Sequence, residues 1–291
     1  MMVTGPISSL DAQVGLGNLI NSDKFLDLSR VLGIPYIKRD FLFRSGVWRG
    51  KEQKPLFRKS ERSAFILLGH SDCPTTSFDQ RIARFFGVEY IFGSNLLQVS
   101  GFSTALPLGL TNPTNESDLH PILGDVKHLE RAWDSPEPLN QFRGTALVGF
   151  SQQTNPIRKR LLRILGDERN ALSVSYHNMT FTKDGRIDFL SKARAHDMVL
   201  CPEGNGFDTH RFWETLYMGG VPVVVKNPYL NPLFQTFPCI ILDSWEDLLD
   251  IDLINSSWVS AKAEVWDASS LSFDFWKTKI ESKYFELSGS L

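Results

Sequence analysis

Residues 199–225 read VLCPEGNGFDTHRFWETLYMGGVPVVV, and this stretch decides the fold. It opens on the end of an apolar strand, Met198 to Cys201. Pro202, Gly204 and Gly206 follow in close order and make a loop. Asp208 or Thr209 supplies the N-cap of a helix that runs to about Met218, and Gly219 and Gly220 stop it. Val221 to Val225 is a short β-branched run, the pattern of a parallel strand buried on both faces. Strand, glycine loop, helix and strand form a βαβ unit. Its loop sets backbone N–H groups and a helix N-terminus where an anion can sit.

The flanking chain repeats the pattern. Thr145 to Gly149 is a strand, Phe150 to Pro156 a turn, and Ile157 to Leu165 an amphipathic helix with Ile157, Leu161, Leu162 and Leu165 on one side. Asn155 suits the N-cap of that helix and Pro156 its first turn. Ala171 to Tyr176 reads as a strand, and Gly185 to Ala195 as a helix with Phe189, Leu190 and Ala193 inward. Downstream come a strand at Cys239 to Leu242, a helix over Ser244 to Leu253 and an aromatic helical tail, Ser257 to Phe285, that packs back on the body.

The first half follows the same logic with less signal. A helix is expected at Leu26 to Leu32, closed by Gly33, and Lys38 to Lys59 reads mostly as irregular surface with aromatic anchors. Ser63 to Leu68 is a buried strand that ends in Gly69, His70, Ser71 and Asp72. A helix at Gln80 to Phe86 leads to a strand at Glu89 to Phe92. Thr111 to Pro121 is a loop or linker. Two β/α series imply an α/β protein of two Rossmann-like units, 1–130 and 131–260, with a tail at 261–291.

The formal net charge of -2 gives no global attraction to nucleic acid or lipid, so neither is expected as a partner. Cys73, Cys201 and Cys239 are far apart and odd in number, which implies neither a disulfide framework nor a metal site. No apolar run approaches the ~18 residues of a membrane span. The start, MMVTGPISSL, lacks the pattern of a signal peptide, so a cytoplasmic setting is expected.

Candidate chemistry sits at strand ends. The loop after Cys201 carries Glu203, Gly204, Asn205, Gly206, Asp208, His210 and Arg211, a dense polar set where open α/β sheets keep ligands. His210 and Glu214 are four residues apart and share a helix face. The loop is neither a G-x-G-x-x-G nor a P-loop motif. Ser151 and Asn155 precede a helix whose first turns carry Arg158 and Arg160, and a bound anion would compensate cations placed there. Lys159 and Arg163 read as solvated face, while Arg158 fits either role. His70 with Asp72 is the acid–base candidate of the first half.

The segment CPEGNGFDTHRFWETLYMGGVPVVV, with Pro232, Phe234 and the strand CIIL, resembles the C-terminal part of exostosin-like glycosyltransferases. LVGFSQQTNPIRKRLL is similar to the arginine-bearing strand-turn-helix those proteins carry upstream. The resemblance spans Thr145 to Leu249, about a third of the chain. It implies a GT-B fold: two Rossmann-like domains facing a cleft, a reduced N-terminal acceptor-side domain, and a C-terminal domain that binds the donor, a nucleoside diphosphate sugar. By the resemblance, Arg158 meets the diphosphate, Arg211 supports phosphate or sugar, Glu203 contacts sugar hydroxyls and Glu214 the ribose. Many GT-B enzymes space two glutamates eight apart, whereas Glu203 and Glu214 are eleven apart. No counterpart of the membrane anchor of animal exostosins is read here.

The expected activity is therefore metal-independent sugar transfer to a carbohydrate acceptor hydroxyl, with no cofactor beyond the donor and with His70 or Asp72 as base. Two other readings use the same site. One is a sugar-nucleotide epimerase or hydrolase, and the other a non-catalytic sugar-nucleotide-binding protein.

Overall fold

The computed structural model describes residues 2–10, 14–37, 65–69, 72–85, 87–113, 120–134, 139–178 and 180–289. The chain begins with a short strand, β1 (Met2–Thr4), and a helix, α1 (Ser22–Leu32). Asn21 caps α1 by accepting the Lys24 N–H, and Gly33 closes it in the left-handed conformation. Strands β2 (Tyr36–Ile37), β3 (Phe65–Leu68), β4 (Tyr90–Gly93) and β5 (Ser103–Ala105) form one all-parallel sheet in that order. Helix α2 (Ser77–Phe85) links β3 to β4. The stretch Lys38 to Lys59 and His70 lie outside the described residues.

A helix α3 (Lys127–Trp133) leads into a second parallel sheet. Its elements are β6 (Thr145–Val148), α4 (Pro156–Leu165), β7 (Ser173–Tyr176), α5 (Lys183–Ala195), β8 (Met198–Leu200), α6 (His210–Tyr217), β9 (Pro222–Val225) and β10 (Ile240–Leu242). The spatial order is β10-β9-β8-β6-β7, with every neighbouring pair parallel. Ala146, Leu147, Met198, Val199, Leu200 and Val223 are all fully buried, which explains why β6, β8 and β9 read as unbroken apolar runs. The order reverses between β6 and β8. In a doubly wound α/β sheet, that switch point is where ligands bind.

Two readings of the chain end are corrected. Ser244 to Leu253 is not one helix: a capping box on Ser244 starts a 3-10 turn, Trp245–Leu249, and Asp250 then caps α7 (Ile251–Ala263). The aromatic tail is not continuous helix either. After α7 it forms β11 (Val265–Asp267), antiparallel to β1, before α8 (Phe273–Ser288). Trp266 Nε1 donates to the Gly5 carbonyl at 2.8 Å and fixes this two-stranded sheet. Helix α8 packs Tyr284 edge-on against Phe65 of the first sheet at 5.9 Å and Phe273 against Phe25 of α1 at 5.4 Å.

The two sheets share one hydrophobic core that includes Phe65 and Phe92 from the first, Leu147 from the second, and Phe189 and Tyr217 from the helices α5 and α6 beside the second. The Tyr217 hydroxyl accepts the Ile20 N–H at 2.9 Å and donates to the Leu271 carbonyl at 2.8 Å, joining three distant segments. Gly219, which ends α6, has φ +69, and a Cβ there would lie 2.5 Å from the Ile7 carbonyl oxygen. Only glycine serves both the turn and the contact. Among the described residues, no helix is long and apolar enough to cross a membrane.

Candidate functional site

The switch point gathers two arginines. Asn155 caps α4 by accepting the Ile157 N–H at 3.0 Å, and Pro156 fills the first turn, as its sequence requires. That start aims Arg158 across to the loop after β8. Its Nε donates to the Glu203 carbonyl at 2.9 Å, Nη1 to the Ser151 carbonyl at 3.1 Å and Nη2 to the Pro202 carbonyl at 3.3 Å. Asn155 Nδ2 adds a bond to the Gly204 carbonyl at 2.8 Å. A Cβ on Gly204 would come within 3.0 Å of Arg158 Nη2, so the glycine keeps this approach open. Burial, and then the positive charge of Arg211, lower the Arg158 pKa to about 10.

Arg211, in the first turn of α6, is the second cation. Its guanidinium lies over the Phe189 ring at 4.2 Å. A Cβ on Gly149, at the end of β6, would sit 2.7 Å from that ring and 3.1 Å from Arg211 Nη1. Burial lowers the Arg211 pKa, while the Glu214 charge opposes the fall. Glu214 is itself buried and pairs with Arg186 of α5, Oε1 to Nη2 at 2.8 Å. Its Oε2 is buried without a hydrogen-bond partner among the described residues. Burial alone would raise the Glu214 pKa, but Arg186 and Arg211 together hold it below the usual range. Arg186 and Arg211 thus both act on one buried carboxylate, while Arg158 is held by the main-chain carbonyls of the two facing loops.

The remaining loop residues divide into two groups. Glu203 is half-buried; burial raises its pKa, and a 2.7 Å hydrogen bond from Asn227 Nδ2 opposes the rise. Asn205 is exposed at the loop tip, as is Ser151 in the facing turn. Beyond the tip, the chain turns toward the first sheet. Gly206 packs so closely that a Cβ would lie 2.9 Å from Asn95 Nδ2 and 3.1 Å from the Asp72 backbone. Asp208 N–H donates to Asn95 Oδ1 at 2.8 Å. The Asp208 carboxylate accepts the Leu108 N–H at 2.8 Å and Trp213 Nε1 at 2.9 Å. His210 Nδ1–H donates to the Gly109 carbonyl at 2.8 Å.

The expected cap is therefore corrected. Thr209 holds the N-cap position of α6, but no side chain caps the helix, because the Asp208 carboxylate is engaged with Leu108 and Trp213. Asp208 and His210 bind the first sheet's loops. Arg158 and Arg211 are brought together, Glu203 stands beside them, and Asp72, exposed at the end of its own loop, reaches Gly206 through its backbone.

Sequence reasoning missed Gly149, Arg186, Phe189 as the ring beneath Arg211, Asn227 and His177. His177 follows β7 directly, with Nδ1 3.2 Å from Asp188 Oδ2 and its ring 5.5 Å from that of Phe189. Its position just past a strand end was a usable signal. Arg186 carried none, since its partner lies 28 residues away.

Next to this cluster, a cavity of about 270 Å³ opens at the carboxyl ends of β8, β9 and β10. Glu203, Phe207, Asn227 and Trp245 line it, among other residues. Among the described residues, no group of three or more His, Cys, Asp and Glu is placed to hold a metal ion. No family model and no curated protein matches this chain.

Proposed function

We propose that this chain transfers a sugar from a nucleoside diphosphate sugar to an acceptor hydroxyl, on a GT-B-like frame in which the second sheet holds the donor. The observation that carries the reading is that Arg158 and Arg211 both stand at the β6/β8 switch point, Arg158 on the carbonyls of the loop after β8 and Arg211 over Phe189, with the Arg211 charge weighing on Arg158. Guanidinium groups recognise phosphate oxygens through charge-assisted hydrogen bonds, so a diphosphate suits a site with two of them. The exostosin-like pattern of the same segment supports the choice of a sugar nucleotide over other anions.

In this mechanism the bond between the sugar carbon and the diphosphate oxygen breaks as the acceptor oxygen attacks. Negative charge grows on the leaving diphosphate, where Arg158 and Arg211 are already aimed, so stabilisation is greatest in the transition state. The acceptor proton passes to a base on the first sheet's side, with Asp72 and His70 as candidates. Phe189 and Gly149 fix Arg211 so that it need not reorganise during the reaction.

The test is donor-dependent transfer with purified protein across a panel of sugar nucleotides and glycan acceptors. Arg158→Ala removes a half-buried side chain and is expected to lower the rate about 100-fold while the protein stays folded. An unchanged rate in a folded Arg158→Ala protein overturns the reading. Sugar release at full rate without any acceptor turns it toward a hydrolase.

A further inference from the structure

Helix α2 is turned inside out. Its inward face carries polar groups: Asp79 and Gln80 are 6 % and 2 % exposed, with Ala83 beside them. The Asp79 carboxylate is spent on the start of the helix, accepting the Thr76 N–H at 2.7 Å and the Thr76 hydroxyl at 2.9 Å. Gln80 Oε1 accepts from Ser103 Oγ at 2.8 Å. The outward face carries the large apolar groups instead: Phe78 is 61 % exposed and Phe85 85 %. They are seven residues apart, so at 100° per residue they line up on one ridge, about 10 Å apart along the axis. Half-buried Ile82 widens that ridge on one side. On the other side stand Arg81 and Arg84, both exposed. The Arg81 guanidinium lies 5.9 Å from the Phe78 ring, and that of Arg84 4.2 Å from the Phe102 ring.

Exposed phenylalanines scattered singly need no explanation, but a row of them flanked by cations on one helix does. Elsewhere on the surface Arg30, Arg160 and Arg169 are paired with Asp27, Glu246 and Asp167. Arg81 and Arg84 form no ion pair among the described residues, and the one carboxylate of α2 is buried at the helix start. This face therefore combines apolar area with unspent positive charge, and its complement is a partner that is apolar and anionic at once. Shape narrows the choice. A helix crown is convex and encloses neither a peptide nor a small ligand. A lipid surface conforms to a ridge, takes phenylalanine rings at the acyl boundary and sets acidic headgroups opposite the arginines. We propose that α2 docks this chain on an anionic membrane surface, with Phe78 and Phe85 inserted and Arg81 and Arg84 at headgroup level. The whole-chain charge of -2 hides this local excess of cations. The contact needs no membrane-crossing helix and does not depend on the sugar-transfer reading.

Sedimentation of the full chain with vesicles tests this, using phosphatidylcholine alone and phosphatidylcholine mixed with phosphatidylglycerol. The chain should bind the mixed vesicles about fivefold or more tightly than the neutral ones, and added salt should erode that preference. Phe78→Ala combined with Phe85→Ala should weaken binding to the mixed vesicles about tenfold or more. Arg81→Ala combined with Arg84→Ala should abolish the preference for mixed vesicles and leave binding to neutral ones unchanged. All four side chains are exposed, so both variants should keep the wild-type melting temperature, measured alongside. Phe285 is the control. It is 61 % exposed but belongs to α8, which packs on Phe65, whereas α2 packs Ala83 with Ile66 and Leu68 on the other face of the sheet. Phe285→Ala should bind vesicles as wild type does. Failure of the wild-type chain to bind mixed vesicles overturns the proposal, and so does an equal loss in Phe285→Ala. If the arginine variant loses binding while the phenylalanine variant keeps it, the face recognises a polyanion by charge alone, and the membrane proposal falls.

Discussion

The two parallel sheets present their carboxyl edges in opposite ways. The second sheet's edge buries charge: Arg186, Glu214 and Asp208 are each at most 3 % exposed. The first sheet's edge makes its hydrogen bonds to it with neutral groups, the Asn95 side chain, the Leu108 N–H and the Gly109 carbonyl, while the carboxylate it carries at Asp72 is exposed. Asn95 even adopts φ +49, a left-handed conformation that asparagine tolerates better than most residues, to reach Asp208. The difference shows how the work is divided. Charged groups are kept buried on one side, and the other side supplies hydrogen bonds to the loop that carries them. Buried charge is costly unless every neighbour is fixed, so the chemically poorer sheet is needed for the richer one to exist.

The sharpest way to break this contrast is through Arg186. Arg186→Ala leaves the Glu214 carboxylate buried without its partner, and such losses cost about 3–5 kcal/mol. Arg160→Ala removes an ion pair of similar length, 2.7 Å to Glu246, but at an exposed site. Its cost should stay within about 1 kcal/mol. Urea unfolding midpoints of the two variants measure both. Equal losses would mean that the second sheet's edge is wetter than described, and the contrast with the first would disappear.

Asp208 sharpens the comparison at the junction itself. Burial raises its pKa to about 7, with the Leu108 and Trp213 bonds opposing the rise. The folded pKa lies above the unfolded one, so the folded state holds the extra proton between about pH 4 and pH 7. Stability from this group is full below the unfolded pKa and is lost as pH rises through the folded value, by at most about 4 kcal/mol. Asp208→Asn has no proton to lose. Its stability relative to wild type should therefore climb steadily between pH 4 and pH 7, read from thermal midpoints at each pH. A difference that is flat with pH would show that the carboxylate is not sealed by the first sheet.

What could be read in advance follows the range of the interactions. The strands of the second sheet, the Asn155–Pro156 start of α4 and the glycine stop of α6 depend on neighbouring residues, and local pattern suffices for them. The β1–β11 pair does not. Val265 to Asp267 finds its partners at Met2 to Thr4, and nothing local sets three residues apart from an aromatic stretch with helical composition. The site divides the same way. Arg158 and Arg211 announce themselves beside glycines at strand ends. That Glu203 lines a cavity and Glu214 is sealed depends on Asn227 and Arg186, each more than 20 residues from its partner. The eleven-residue spacing of the two glutamates carried no information about which of them faces outward.

The smallest expected effect tests how the second sheet ties its own two loops together. Asn155 has two jobs: Oδ1 caps α4, and Nδ2 donates to the Gly204 carbonyl at 2.8 Å. Asn155→Ala loses both and should cost about 1 kcal/mol, a typical cap loss. Asn155→Asp keeps the cap and suits the helix dipole, so its stability should stay within about 0.5 kcal/mol of wild type. It nevertheless replaces a donor to Gly204 with an acceptor and puts a negative charge beside the Arg158 site. Pyrophosphate binding should then weaken several-fold in Asn155→Asp despite unchanged stability. In Asn155→Ala, which adds no charge, any weakening of binding should be smaller. Equal binding losses in both variants would mean that Asn155 matters only through the cap and that charge at this turn does not reach the anion site. The positive edge of the second sheet would then be Arg211 alone, and the two-arginine basis of the proposed function would have to be redrawn.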